Sequence, residues 1–356
     1  MDGTHLNNKI GIVGGGITGL ISAYFLSLEG YKVDLYEKKT LLSETSSKTT
    51  KLIHGGIRYL ENFQFHEVKN GINDRKWWLE NFPDETKLQE IIILSKKKLS
   101  PEIFKFFFGV KVYETFAGRS NIKTGRLYKQ DNLLSLGIKN NISAGISFYD
   151  GLMQESVGQE IIKRCKSNGV NFYENNEIKS IRSEGRIEEK QYKKIIIATG
   201  PWVSSFLKQN KIDTNKTIDY IKGSHLIINR KIKKGLMFRD QKKHRYVFAL
   251  PYQGNLLLGT TEQRVRSPED NHVLDSEVNY LLESINIYID RPINKDEIIK
   301  SYSGVRPLIK SKAQDFHSSS RDFYIQKDHN LLSLFGGKWT TAPSIARNIV
   351  RIVNNE

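Results

Sequence analysis

A single cysteine, Cys165, stands in the 356 residues. That excludes a disulfide framework and any thiolate zinc site, and it fits a reducing compartment. No metal ligand set is expected. Long hydrophobic runs are also missing. A membrane-spanning helix needs ~18 consecutive apolar residues or more. The longest apolar stretches, such as Ile91-Ile92-Ile93-Leu94, have only the length of a strand. The first residues, MDGTHLNNK, have neither the basic start nor the apolar stretch of a signal peptide. Internal repeats, low-complexity tracts and flexible linkers are absent too. The expected location is the cytoplasm, with a peripheral place on the inner face of the cytoplasmic membrane also compatible.

Acidic residues are outnumbered: 39 Asp and Glu stand against 55 Lys and Arg, for a formal charge of +16. Such a field favours anionic partners, whether nucleic acid, an anionic membrane or phosphorylated small molecules. The lysines are spread through a chain rich in Asn and Ile, a compositional bias. No nucleic-acid motif accompanies them, so no nucleic-acid partner is expected. The 17 Phe, 16 Tyr and 4 Trp argue against disorder. The length suffices for two domains of about 150 residues each.

The apolar run at 9–14 reads as a buried strand, 17–26 as a helix closed by Gly30, and 32–37 as a second strand. These form a β-α-β unit. Helical patterns follow at 63–82, 101–116 and 153–168. Strands are expected at 170–174, 177–182 and 195–200. Alternation and turn residues over 217–261 predict an antiparallel meander. A helix at 274–288, strands at 296–304, 322–326 and 331–335, and a final helix complete the chain. Parallel-type units thus interleave with antiparallel material. The expected class is α/β: a discontinuous nucleotide-binding domain (1–80, 145–215, 322–356) with an inserted antiparallel sheet domain (81–144, 216–321).

Gly14, Gly16 and Gly19 fit G-x-G-x-x-G between the first strand and helix. The first glycine allows the tight turn, the second lets a pyrophosphate approach, and the third lets helix and strand pack closely. Ile17 and Thr18 open the helix, whose N-terminus favours phosphate. Glu37 ends the second strand, where a carboxylate accepts hydrogen bonds from ribose hydroxyls and repels a 2′-phosphate. Lys38 follows it. Hydroxyls and N–H groups at 46–51, among them Ser46, Ser47, Thr50 and Lys51, suit a pyrophosphate or flavin edge. His54 beside Gly55-Gly56 suggests a backbone that approaches a flat ring.

The stretch Ser46–Glu61, containing Lys51-Leu52-Ile53-His54-Gly55-Gly56-Ile57-Arg58-Tyr59-Leu60, resembles the signature of FAD-dependent glycerol-3-phosphate dehydrogenases, within the D-amino-acid-oxidase-like flavoproteins. Lys222-Gly223-Ser224-His225, Gly304-Val305-Arg306-Pro307-Leu308 and Gly336-Gly337-Lys338-Trp339-Thr340-Thr341 look like the same family in the same order. Ala198-Thr199-Gly200-Pro201-Trp202 matches a second flavin-contacting strand end. The resemblance covers nearly the whole chain. It implies a Rossmann-type FAD domain and oxidation of sn-glycerol 3-phosphate to dihydroxyacetone phosphate, with hydride passing from C2 to flavin N5.

It further implies that Ile178, Ala198, Gly200, Trp202, Gly337, Lys338, Trp339 and Thr340 join the glycine motif around FAD. Arg58, Tyr59, His225, Arg245, Arg306 and Lys338 would line a pocket for a small phosphorylated substrate. Arginine forks suit phosphate. His225, as a neutral imidazole, is the expected proton acceptor, with Arg58, Arg306, Lys338 and His54 completing the catalytic candidates. Electrons would pass to a quinone or another acceptor. Cys165, placed on a surface helix, is not expected to link the flavin. Family members usually carry a further C-terminal helical domain, and Asp-Ala where Asp150-Gly151 stands here. The expectation is a short member lacking that domain. The rivals are a related flavoprotein acting on a 2-hydroxy acid or an amine, holding a carboxylate with the same arginines, and a non-catalytic nucleotide-binding protein.

Overall fold

The first apolar run folds as a central strand because both its faces are covered. In the computed structural model, which describes residues 8–57, 60, 64–96, 101–117, 124–240, 245–310 and 323–355, Lys9–Val13 lies mid-sheet with Ile10 and Ile12 fully buried. A six-stranded sheet runs in the order Phe323–Asp328, Leu331–Gly336, Lys194–Ile197, Lys9–Val13, Lys32–Tyr36, Asn171–Tyr173. Its neighbours pair in parallel except at the Phe323–Asp328 edge. Helices Ile17–Leu28, Val157–Ser167 and Ala342–Asn355 bury their apolar sides in one core with it, through Leu20, Ile161 and Ile349. Burial on both faces explains the unbroken Ile and Val runs.

The second sheet has ten strands, eight of them in one path, from Gln263–Val265 through Ile218–Ile228, Asn255–Gly259, Tyr246–Tyr252, Gly235–Arg239, Thr86–Ser95 and Ala144–Met153 to Leu52–Ile53, with Ile298–Ile309 also paired along Ile218–Ile228 and Leu127–Lys129 along Ala144–Met153. The expected fold class is the one observed. The sheet is not wholly antiparallel, however. Gly235–Arg239 runs parallel to Thr86–Ser95: they are not consecutive in the chain, and Ala144–Met153 and Ile218–Ile228 of the same sheet come between them in sequence. Leu52–Ile53, and Ala144–Met153 from residue 145 on, fall in the nucleotide domain as bounded by sequence but pair within this second sheet. Thr86–Ser95 and Ala144–Met153 match over ten residue pairs, from Thr86↔Met153 to Ser95↔Ala144. The helix expected from 153 therefore starts only at Val157.

Candidate functional site

One cavity of about 1110 Å³ runs between the glycine turn and the second sheet. At its nucleotide end Gly14 holds φ +111°, and its N–H donates to Tyr36 O at 2.8 Å. The helix that follows has Gly16 at its N-cap and no acidic residue in its first turn. Its first N–H, from Ile17, donates to Ser46 Oγ at 2.9 Å. A Cβ on Gly16 would meet only Ser46 Oγ, at 3.2 Å, and Gly16 borders the cavity. The turn is thus a cradle open to an anion. Glu37 accepts Gly15 N–H at 2.7 Å through Oε2 and Lys39 N–H at 2.8 Å through Oε1. Each carboxylate oxygen keeps lone-pair capacity for a ribose hydroxyl.

The loop before the last helix is bolted to the 46–51 segment. Gly336 and Gly337 take φ +70° and +85°. Trp339 Nε1 donates to Ser46 O at 3.0 Å, and Trp78 Nε1 donates to Thr340 O at 3.1 Å. Lys338 N–H donates to Thr341 Oγ1 at 2.9 Å, which shapes the helix start.

At the other end, His225 and Arg306 sit on neighbouring antiparallel strands, with Ile221 opposite Arg306 and Tyr302 opposite His225. The His225 and Tyr302 rings stack with centroids 5.0 Å apart. Two glycines make room. A Cβ on Gly223 would stand 2.0 Å from Arg306 Nη2, and one on Gly259 would stand 2.3 Å from His225 Cδ2. Arg306 Nη2 donates to Thr260 Oγ1 at 3.0 Å and Thr261 O at 3.3 Å. Glu262 lies 3.4 Å from Arg245 Nη2 and 3.8 Å from Arg306 Nη1. His225 is only 2% exposed. Its Nε2 is 2.9 Å from Thr50 Oγ1, and Nδ1 has no hydrogen-bond partner among the described residues. Burial, then the charges of Arg306, Lys51 and Arg245, push its pKa down to about 3. The imidazole is therefore neutral near pH 7.

The family description "FAD dependent oxidoreductase" matches residues 9–352. The chain belongs to that family. As an FAD-dependent oxidoreductase it takes FAD as cofactor, and the cradle at Gly16 fits the dinucleotide. Among curated relatives, the chain is 28% identical to "Glycerol-3-phosphate dehydrogenase" of Pseudomonas tolaasii, over 95% of this chain and 70% of that one. It is 30% identical to "Aerobic glycerol-3-phosphate dehydrogenase" of Staphylococcus saprophyticus, over 96% and 66%. The chain thus spans about two thirds of the length of these relatives. Among solved structures, L-alpha-glycerophosphate oxidase from Mycoplasma pneumoniae, with FAD bound, superposes with a TM-score of 0.77 at 21% identity, covering 97% of this chain and 94% of that one. Glycine oxidase from Geobacillus kaustophilus gives 0.73 at 16%, covering 98% and 95%.

In this oxidoreductase the cavity wall gathers Gly14, Gly16, Ile17, Thr18, Glu37, Lys38, Ser46, Thr50, His54, Ile178, Ala198, Gly200, Trp202, His225, Arg245, Arg306, Gly337, Lys338, Trp339 and Thr340. Four sequence candidates stand behind that wall. A Cβ on Gly19 would fall 2.0 Å from Gly14 O, and one on Gly55 would fall 2.1 Å from the Tyr113 hydroxyl. Ser47 Oγ donates to Glu44 O, and Lys51 Nζ donates to Ser47 O, each at 2.9 Å. Arg58 and Tyr59 lie outside the described residues. Cys165 is fully buried on the inner side of its helix, where its thiol donates to Leu20 O at 3.4 Å. Burial raises its pKa to about 12. Tyr246, Phe248, Thr260 and Lys48 also border the cavity and were not singled out. The Tyr-x-Phe alternation right after Arg245 was the available signal for the first two.

Proposed function

We propose that this oxidoreductase converts sn-glycerol 3-phosphate to dihydroxyacetone phosphate. The observation that carries this reading is the meeting of Arg306, Arg245 and a neutral His225 at one end of the FAD cavity. The names of the curated relatives support it. Bound FAD supplies the acceptor for the hydride that leaves C2. Arg306 and Arg245 bind the phosphate dianion, and charge-assisted hydrogen bonds fix C2 in place. His225 Nε2 is the final acceptor of the C2 hydroxyl proton, and Thr50 Oγ1, 2.9 Å from it, relays that proton by giving its own to the imidazole as it takes the substrate's. A dianion beside Arg306 offsets the cations that depress the imidazole pKa, so substrate strengthens its own base. Lys338, on the cavity wall, adds positive charge near the reacting centre.

Electrons then leave for a quinone or another acceptor. The proposal includes peripheral contact with an anionic membrane. The +16 charge supports it. So does helix Pro101–Ala117, which leaves Phe104, Phe107 and Phe108 exposed at i, i+3 and i+4. Among the described residues, no helix is long and apolar enough to cross a membrane.

The test is anaerobic bleaching of the bound flavin by glycerol 3-phosphate, glycerol, amino acids and 2-hydroxy acids. Bleaching by glycerol 3-phosphate is expected. Bleaching by an amino acid or a 2-hydroxy acid in its place overturns the substrate and leaves the family unchanged.

A further inference from the structure

Behind the anion-facing arginine lies a buried carboxylate that no local pattern in the sequence marks. Glu277 belongs to the first turn of helix Asp275–Asn286 and is 7% exposed. Its Oε1 accepts the hydroxyl protons of Ser224 at 2.9 Å and Thr261 at 2.7 Å. Its Oε2 accepts Leu274 N–H at 3.0 Å and pairs with Lys222 Nζ at 2.8 Å. Lys222 is itself buried and also donates to His272 O at 2.9 Å. Burial works to raise the Glu277 pKa. The bonds from Lys222, Thr261, Leu274 and Ser224 more than offset that, and the net direction is down.

Two of these partners lead to the site. Ser224 directly precedes His225 on Ile218–Ile228. Thr261 offers its carbonyl to Arg306, and neighbouring Thr260 offers its hydroxyl. Ser224 and Thr261 are also locked to each other. Ser224 N–H donates to Thr261 Oγ1 at 2.9 Å, and Thr261 N–H donates to Ser224 O at 3.2 Å. A helix start needs only the bond to Leu274. A buried ion pair is in itself weak evidence for stability, since apolar residues of like volume often serve as well. The remaining donors all come from the elements that carry or support His225 and Arg306.

We propose that Glu277 is a positioning residue: it ties the strand bearing His225 to the turn that supports Arg306, and so sets how the two meet a bound phosphate ester. The substrate class rests on the function proposed above; the positioning itself does not require turnover.

The experiment measures binding of inorganic phosphate to the FAD-loaded protein, followed by perturbation of the flavin absorption. Glu277→Gln leaves Lys222 buried without its counter-charge and risks the fold. Thr261→Val cuts the link from Glu277 to the turn and spares the Lys222–Glu277 pair. Phosphate affinity of Thr261→Val is expected to fall on the order of 10-fold, with FAD content unchanged. Thr261→Ser, which keeps the hydroxyl, should bind as wild type does. In an Arg306→Ala background, Thr261→Val should cost little more, because it acts through Arg306. Unchanged affinity in Thr261→Val, an equal loss with and without Arg306, or equal damage in Thr261→Ser overturns the proposal. A wild type that binds phosphate but is not reduced by glycerol 3-phosphate overturns the substrate alone. A wild type that binds no phosphate overturns both.

Discussion

Gly16→Ala separates the needs of the fold from those of the cofactor. Gly16 has φ −73° and ψ 179°, ordinary values for any residue. An added Cβ meets only Ser46 Oγ, at 3.2 Å, a contact relieved by a shift of a few tenths of an ångström. The chain should fold nearly as before. The methyl group does, however, occupy the wall against which the pyrophosphate would rest if the site lies here. Pushing that group outward weakens one or two charge-assisted hydrogen bonds at the helix start, each worth roughly 1.5–3 kcal/mol. Losing about 1.5–3 kcal/mol corresponds to a 10- to 100-fold weaker Kd for FAD. Gly14→Ala behaves differently. Its Cβ would stand 2.4 Å from Ala198 O at φ +111°, so it damages the contact between strands Lys9–Val13 and Lys194–Ile197 as well. The assay pairs the ratio of flavin to protein absorbance with the thermal midpoint of the FAD-free protein. Gly16→Ala should lose FAD and keep its midpoint, whereas Gly14→Ala should lose both. A Gly16→Ala protein that purifies fully yellow, with an unchanged Kd for FAD, would refute the placement of the pyrophosphate.

Arg306→Lys keeps a charge but loses the planar fork, and the preference for glycerol 3-phosphate over glycerol in kcat/KM, expected on the order of 10³-fold, should shrink in it and shrink further in Arg306→Ala, with FAD content constant in both. Because the His225 pKa lies near 3, no acid limb from this group should enter the pH profile of kcat/KM between pH 5 and 8, while substrate binding should move the limb of kcat to higher pH. The same depression means that the unfolded chain binds the extra proton as pH falls from about 6.5 towards 3, so stability drops across that window, and His225→Asn should flatten the slope seen by denaturant titration at each pH. Vesicles of anionic lipid should hold the protein at low salt and release it at high salt, and Phe107→Ser with Phe108→Ser should weaken the hold; equal binding to neutral vesicles would remove the electrostatic part of the proposal.

What the sequence made legible was local. The strand, turn, helix and second strand of 9–37 follow one another with the spacing that the dinucleotide turn demands, so Gly14, Gly16 and Glu37 were found from the pattern alone. His225 and Arg306 came instead from the family resemblance, because nothing in a single strand announces that Ile221 will stand opposite Arg306. Gly55, Ser47 and Lys51 look like ligands when spacing alone is read, yet their side-chain space or side-chain atoms meet the protein's own backbone and hydroxyl groups, whereas Gly19 packs against Gly14 O as its place in the motif predicts. Glu277 was invisible for the opposite reason. An acid in the first turn of a helix is the commonest of solvated residues, and only the sheet packed beneath turns it inward. The parallel pairing of Gly235–Arg239 with Thr86–Ser95 was equally hidden, since alternation reports which face is buried and not which way the neighbour runs.

The segment 45–51 touches parts of the chain made at very different times. Ser46 binds the start of the first helix through Oγ and Trp339 through its carbonyl. Thr45 reaches Val305 O at 3.0 Å, Tyr302 donates to Thr49 O at 2.8 Å, and Thr50 meets His225. The sheet beneath is likewise incomplete until Leu331–Gly336 has joined Lys194–Ile197. During synthesis the glycine turn leaves the ribosome about 300 residues before Leu331–Gly336 and Trp339, which complete its surroundings. On the proposed placement FAD loading therefore waits for residues up to Trp339, and a chain cut before them would present the turn without a pocket to close over the cofactor.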